Sequence, residues 1–328
     1  MSAAPVLAAA EHPAQRLLQL NTMLETAAAV DAASRLGILN RLYETPGTAE
    51  EIAQHCGTAP DLTQLLLDAL EALGVLQRSD GGRYAGTAAA RWLITVAAGW
   101  SRLGDVVRTG QPLVSADTPA GAAELYPEAV TLLSQLCAAA AQRAATLLAP
   151  VRGEVLDVGA GAAPWSIALA HADPTAWVTA LDLPAVLRTT RRVVEVAGLA
   201  TQFQFRAGDM FTAELPEATY DVIILGNVCH LFSPDTNRVL LQRLRPALSV
   251  GGTLAIVDAL PSEDPEEHRS LSLYSLGLRM RTAVGAVYPL DAYATWTREA
   301  GYGAVRAISL SRTPSLALMS CVRLEGPC

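Results

Sequence analysis

His230 stands in the stretch ILGNVCHLFSPD, just after the apolar run Val222 to Leu225. A core strand has no need of an ionisable ring at its exit, whereas a reaction that moves a proton near neutral pH does, because histidine titrates there. Upstream, VLDVGAGAAPWS sets Gly159 and Gly161 in a turn between a strand-like run and a helix-like segment. Glycine lets the backbone double back there and lets a nucleoside-sized ligand lie close to it. Pro164 occupies the third glycine position of a dinucleotide fingerprint and abolishes an amide that a pyrophosphate would use. About 20 residues on, Asp182 ends the second strand-like run, where a carboxylate can take both hydroxyls of a ribose. A third run ends in AGDMF, where Asp209 can accept from an adenine amino group and Met210 can cover the ring face. Either acid alone reads equally well as a loop cap. At successive strand ends, with a degraded pyrophosphate turn, the three features suit S-adenosylmethionine.

The elements that must carry these residues follow from hydrophobic period. From Glu154 onward strand-like and helix-like segments alternate, and a final pair, AVRAISLS and SLALMSCVRL, is joined by a short turn. That order predicts an α/β fold with a parallel sheet wrapped by helices and one antiparallel final strand. Before it, a long helix stopping at Gly37, a second from Thr48 to Gly57 and a third from about Pro60 to Gly74 precede a hairpin around Asp80-Gly81-Gly82. Helix, helix, helix, hairpin is the order of a winged helix. The helix that would enter a DNA groove carries Asp68 and Glu71 and no arginine, so phosphate contact is opposed there. Its alanine- and leucine-rich faces fit a second subunit better. Further helices occupy about 97–150.

Bulk composition narrows the chemistry. All 24 basic residues are arginine, which excludes a Schiff-base lysine and the lysine of a P-loop. A formal charge of −8 opposes a polyanionic partner. Five scattered cysteines (Cys56, Cys137, Cys229, Cys321, Cys328) without a CxxC spacing read as free thiols in a reducing compartment. The N-terminal stretch MSAAPVLAAAEHPAQ lacks the basic start of a signal peptide, and no apolar run approaches the ~18 residues of a membrane span, so a cytoplasmic protein is expected.

Nearly the whole chain resembles the metal-independent small-molecule O-methyltransferase family, which includes plant caffeic-acid-type and bacterial antibiotic-pathway enzymes. The marks are the winged-helix half, VRTGQP from Val107 to Pro112, LDVGAG, LDLP, GDMF and the His230 segment. The resemblance implies a winged-helix-like dimerisation domain over 1–98, a helical linker over 99–150 that contributes to the substrate pocket, and a Rossmann-like class I methyltransferase domain over 151–328. It implies a homodimer using S-adenosyl-L-methionine and no metal. Gly159, Gly161, Asp182, Leu183, Asp209 and Met210 would line the cofactor site, with Asn227 near the methionine end. His230 would be the catalytic base, oriented by Asp258 in LAIVDAL. The chain departs from the pattern at Leu231-Phe232, where Asp-Trp is common, at Ala163, where a glycine is usual, and at Val287, where a second acid is expected. Oxygen is the preferred acceptor; a carbon or nitrogen acceptor, or a bound cofactor used without methyl transfer, are the alternatives. A degenerate regulator is opposed by the acidic third helix. Leu273, Leu278, Met280 and Trp296 are candidate apolar lining or ordinary core, and Arg279 and Arg281 either reach an acidic substituent or face water.

Overall fold

The computed structural model describes residues 13–151 and 153–326, apart from the side chain of residue 128. The expectations for the N-terminal stretch before Pro13 and for Cys328 lie outside the described residues. The chain forms two compact units that divide between Asp105 and Val106.

The first unit contains α1 (Pro13–Arg35), α2 (Ile38–Glu44), α3 (Ala49–Cys56), α4 (Pro60–Ala72), a hairpin of β1 (Leu76–Arg78) and β2 (Tyr84–Gly86), and α5 (Ala88–Trp100). Gly37, at φ 74°, ends α1 and immediately opens α2, so four helices rather than three precede the hairpin. The spacing Thr48–Glu51 builds the expected capping box: Glu51 N–H donates to Thr48 Oγ1 at 3.3 Å and Thr48 N–H to Glu51 Oε2 at 3.1 Å. Ile38, Leu42, Ile52, Leu67, Leu70 and Tyr84 close the core. On α4 the Asp68 carboxylate accepts from the Tyr84 hydroxyl and from Gln64. Only Ala33 of α1 is buried, while Leu17, Leu18 and Leu24 are more than two-thirds exposed. Among the described residues, nothing covers these leucines.

With α6 (Leu103–Thr109) running across the division, the second unit continues through α7 (Pro119–Leu148), β3 (Glu154–Val158), α8 (Pro164–Ala172), β4 (Trp177–Asp182), α9 (Pro184–Val196), β5 (Phe203–Ala207) and β6 (Tyr220–Gly226). It ends with α10 (Pro234–Leu244), β7 (Leu248–Asp258), α11 (Pro265–Arg281), α12 (Leu290–Glu299), β8 (Arg306–Arg312) and β9 (Ser315–Val322). Thr118 caps α7 and Pro119 suits its first turn, so the helix starts well before the glutamate at 128 and passes through Pro127 unbroken. No helix among the described residues is long and apolar enough to cross a membrane.

The sheet order is β5-β4-β3-β6-β7-β9-β8, with β9 antiparallel to β7 and β8 and the other pairings parallel. Alternate residues of the central strands enter opposite cores: Val155, Val178, Val222, Ile224 and Val257 one, Leu156, Leu181, Ile223, Leu225 and Ile256 the other. Strand order reverses at β3, which pairs with β4 on one side and β6 on the other. In such sheets the crevice at the carboxyl ends beside the reversal receives the ligand. Parallel pairing brings the ends of β3, β4, β5, β6 and β7 to that one edge. Gly159, Asp182, Asp209, His230 and Asp258 therefore share it.

Candidate active site

The first half of the edge is a glycine cradle. Gly159 and Gly161 have φ of 67° and 58°. A Cβ on Gly159 would stand 3.0 Å from Val228 Cγ2 and 3.2 Å from Met210 Cε, so a side chain there would crowd both neighbours on a left-handed backbone. Asp182 ties the turn to the end of β4: Gly161 N–H donates to its Oδ2 at 2.8 Å and Leu183 N–H to its Oδ1 at 2.7 Å. Burial pushes this carboxyl up to about 6, and the two amides oppose the rise. Beneath the turn, Asp157 is buried and accepts from Ser166 Oγ–H; burial pushes it up to about 7. Asp209 uses one oxygen to accept from Phe211 N–H at 2.9 Å, a loop cap of the kind its position allowed. Ala163 replaces the usual third glycine yet keeps its left-handed conformation, φ 56° and ψ 38°, at a cost of about 1–2 kcal/mol. Trp165, in the first turn of α8, lies so close to Gly226 that a Cβ there would stand 2.1 Å from its Cδ1.

The second half is a histidine held by one carboxylate. Asn227 turns the chain at φ 61°, and a short 3-10 turn, Cys229–Leu231, carries His230 back over the sheet edge. Asn237 Nδ2 donates to the Cys229 carbonyl at 2.9 Å and fastens that turn to α10. Gly226 pairs with Val257, so the chain leaving β6 comes alongside Asp258 at the end of β7. Asp258 Oδ2 accepts from His230 N–H at 3.0 Å, and Oδ1 stands 2.6 Å from His230 Nδ1 and accepts from Ala259 N–H at 3.0 Å. A carboxylate only accepts, so Nδ1 carries the hydrogen and Nε2 presents its lone pair. His230 is 3% exposed and Asp258 is fully buried.

Two residues that the sequence reading did not single out complete this half. Tyr274 Oη lies 3.3 Å from His230 Nε2 and 3.4 Å from Nδ1, with the rings nearly perpendicular at 77°. Burial holds its phenol well above the usual range, so it keeps its proton and can donate to Nε2. Tyr126 of α7 is also raised by burial, and Arg281 opposes that rise. Leu271, Tyr274, Leu278 and Arg281 recur at three- and four-residue steps on α11, and that period was the available signal.

His230 meets Asp258, Gly159 lies beneath Met210, and Asp182 joins Gly161 and Leu183 by accepting a hydrogen bond from the amide of each. Asn227 Oδ1 faces Cys137 Sγ of α7 at 3.8 Å, and burial pushes that thiol up to about 11. Of the candidate lining residues, Leu273 is 57% exposed, while Leu278 and Trp296 are fully or almost fully buried in the core beneath the sheet edge. Val287 packs against that same core and brings no second carboxylate. Arg279 is exposed and Arg281 half-buried.

Comparison with known proteins agrees with this arrangement. Residues 18–96 match the O-methyltransferase dimerisation domain and residues 108–303 the O-methyltransferase domain. The chain is 30% identical over 317 residues to 3-hydroxy-5-methyl-1-naphthoate 3-O-methyltransferase of Streptomyces sahachiroi, covering 89% of this chain and 90% of that one. It is 28% identical over 275 residues to the N,N-dimethyltransferase OxyT of Streptomyces rimosus, covering 75% and 78%. A solved structure of human N-acetylserotonin methyltransferase in complex with SAM shares the fold, with a TM-score of 0.73 at 22% identity over 97% of this chain and 100% of that one. The chain belongs to the O-methyltransferase family of S-adenosylmethionine-dependent methyltransferases.

Proposed function

We propose that the enzyme methylates a hydroxyl of a small aromatic or polyketide-like metabolite, with His230 as general base and Asp258 as the group that fixes its tautomer. The observation that carries this reading is the buried His230–Asp258 pair at the same sheet edge as the glycine cradle. Bound S-adenosylmethionine supplies an electrophilic methyl group on a sulfonium. The cradle suits it: the space a Cβ at Gly159 would fill lies between Val228 and Met210, and Asp182 stands beside Gly161 with a carboxylate for the ribose. Asp209, Leu183 and Asn227 are assigned to the same site, Asn227 toward the methionine end.

A phenol with pKa ~10 is mostly protonated at neutral pH, and ionising it there costs ~4 kcal/mol. His230 Nε2 can take that proton as transfer proceeds, while Asp258 stabilises the imidazolium that forms. The Tyr274 hydroxyl at 3.3 Å from Nε2 supports this role in one respect: a phenolic oxygen fits against that nitrogen. The relative from S. sahachiroi, an O-methyltransferase of a hydroxynaphthoate by name, supports an aromatic hydroxyl as acceptor. A nitrogen acceptor is the second reading, favoured by Tyr274 occupying the reach of the base and by the likeness to an N,N-dimethyltransferase. The exposed leucines of α1 support a homodimer, which sedimentation of the intact chain tests.

The deciding experiment is calorimetric titration with S-adenosylmethionine and S-adenosylhomocysteine, followed by methyl transfer to a panel of phenols and arylamines. Saturable binding with His230-dependent methylation of phenols is expected. Equal turnover by His230→Ala on every phenol would remove the base, and failure to bind either ligand would remove the cofactor site.

A further inference from the structure

We infer that Arg281 binds a carboxylate on the acceptor, so that the substrates are hydroxyaryl carboxylic acids; this rests on the placement of methyl transfer at His230. Arg281 lies two turns after Tyr274 on the same face of α11. Its guanidinium carbon is 5.5 Å from the centroid of the Tyr274 ring, whose hydroxyl is against His230. One nitrogen, Nη1, donates to the Gly277 carbonyl at 3.2 Å, and the guanidinium faces the Tyr126 hydroxyl. None of these partners is a carboxylate.

Four other arginines of this unit are differently placed. Arg238 pairs with Asp235 and Glu299, and Arg312 with Asp264 and Glu267. Arg243 and Arg245 donate to several carbonyl oxygens each, from Met210 and Ala213 and from Gly301, Leu324 and Gly326. A half-buried guanidinium without a counter-ion is unfavourable, and its planar fork matches a carboxylate in two parallel hydrogen bonds. Ala116 N–H donates to the Arg281 carbonyl at 2.8 Å, which brings Asp117 beside the end of α11, and Asp182 lies on the other side of the site. Asp182 belongs to the glycine cradle. Asp117 accepts from Ala283 N–H at 3.0 Å through Oδ2, and its Oδ1 is buried without a hydrogen-bond partner. Asp117 is the internal rival for Arg281.

The path from Arg281 to His230 crosses the breadth of the Tyr274 side chain. An acceptor lying along that ring would place a carboxylate at the guanidinium and a hydroxyl at Nε2, one aromatic unit apart.

The test is equilibrium binding of 2-naphthoate and of its neutral counterpart 2-naphthamide to the full chain saturated with S-adenosylhomocysteine. Neither probe has a hydroxyl to methylate, so binding is read without turnover. The wild type is expected to prefer naphthoate at least about tenfold, and Arg281→Gln to bring the two within about twofold, the size of one charge-assisted contact. Arg281→Lys should keep part of the preference, and His230→Ala all of it. Asp117→Asn, which removes the rival charge, should raise the preference; this arm decides the matter if Arg281→Gln does not fold. Equal binding of the two probes to the wild type, a preference that survives Arg281→Gln, or a preference that Asp117→Asn leaves unchanged would each overturn the assignment. Naphthoate preference without methylation of any hydroxylated acceptor would instead remove the role given to His230.

Discussion

Replacing Asp258 by asparagine keeps the volume and removes the charge at the point where the proposed mechanism is most exposed. Three donors converge on this carboxylate: His230 N–H at Oδ2, and His230 Nδ1–H and Ala259 N–H at Oδ1. An amide offers one oxygen and one NH2, so at least one buried donor meets another donor in either orientation. Leaving a buried donor unsatisfied costs about 1–3 kcal/mol. The imidazole escapes part of this by shifting its hydrogen to Nε2 and accepting from the new amide at Nδ1. That shift removes the lone pair that takes the acceptor's proton. A positioned general base is worth about 100- to 10,000-fold, which is about 3–5 kcal/mol of barrier. Asp258→Asn should therefore lower kcat on phenols by at least about 100-fold. S-adenosylmethionine affinity should stay within about threefold, because Asp258 has no hydrogen bond to the cradle. Single-turnover transfer of a labelled methyl group, alongside calorimetry, reads both quantities. A folded variant that keeps its single-turnover rate within about fivefold would refute orientation by Asp258 and weaken the base assignment with it.

Asp182 predicts a pH dependence. Burial raises its carboxyl from 3.8 to about 6, so the folded ligand-free enzyme holds a proton there between those values that the unfolded chain has lost. This group therefore makes the ligand-free enzyme more stable as pH falls through 6 toward 4. Cofactor affinity, which needs the ionised form for the ribose, should fall over the same interval, and Asp182→Asn should bind weakly without that dependence in calorimetry. Gly226→Ala should displace the Trp165 indole and lower the unfolding free energy by more than about 2 kcal/mol, seen as a lower denaturation midpoint; an unchanged midpoint would mean the indole has room to move. Ala163→Val should cost more than about 2 kcal/mol, since a branched side chain is added at a left-handed position, whereas Ala163→Gly should stay within about 1 kcal/mol as relieved strain offsets a lost buried methyl. Tyr274→Phe should alter the pH–rate profile of methyl transfer by freeing Nε2 from a hydroxyl at 3.3 Å, while leaving cofactor affinity intact; coincident profiles would remove Tyr274 from the site.

The alternation of strand and helix after Glu154, the capping box at Thr48 and the glycine turn are legible in sequence because each depends on residues within one or two turns of one another. Gly37 is legible as a helix stop but not as the start of α2, since a left-handed glycine serves both and only packing of Ile38, Leu39 and Leu42 decides. His230 and Asp258 are 28 residues apart, and the sequence joins them only through resemblance. Their meeting follows from the pairing of Gly226 with Val257, a fact of strand register. Tyr274 and Arg281 are harder still. They look like ordinary members of a helical period, and their significance comes from which edge of the sheet α11 passes. In sequence Leu278 and Trp296 stay open between pocket lining and core, because an apolar residue near a site reads the same in either place, and they fill the core.

The grip of Asp258 on both the ring and the backbone of His230 has an evolutionary consequence. The tautomer and the backbone position of the imidazole are set by the ends of two neighbouring strands, and α11 adds only the Tyr274 hydroxyl against the ring. Under the proposed mechanism, mutations that reshape Arg281 and the other residues of α11, Tyr274 apart, alter which molecule is welcomed without detuning the proton acceptor. Such a chain can drift from one acceptor to another through intermediates that all remain competent, and a laboratory selection confined to α11 and sparing Tyr274 would explore new substrates at little risk to the chemistry.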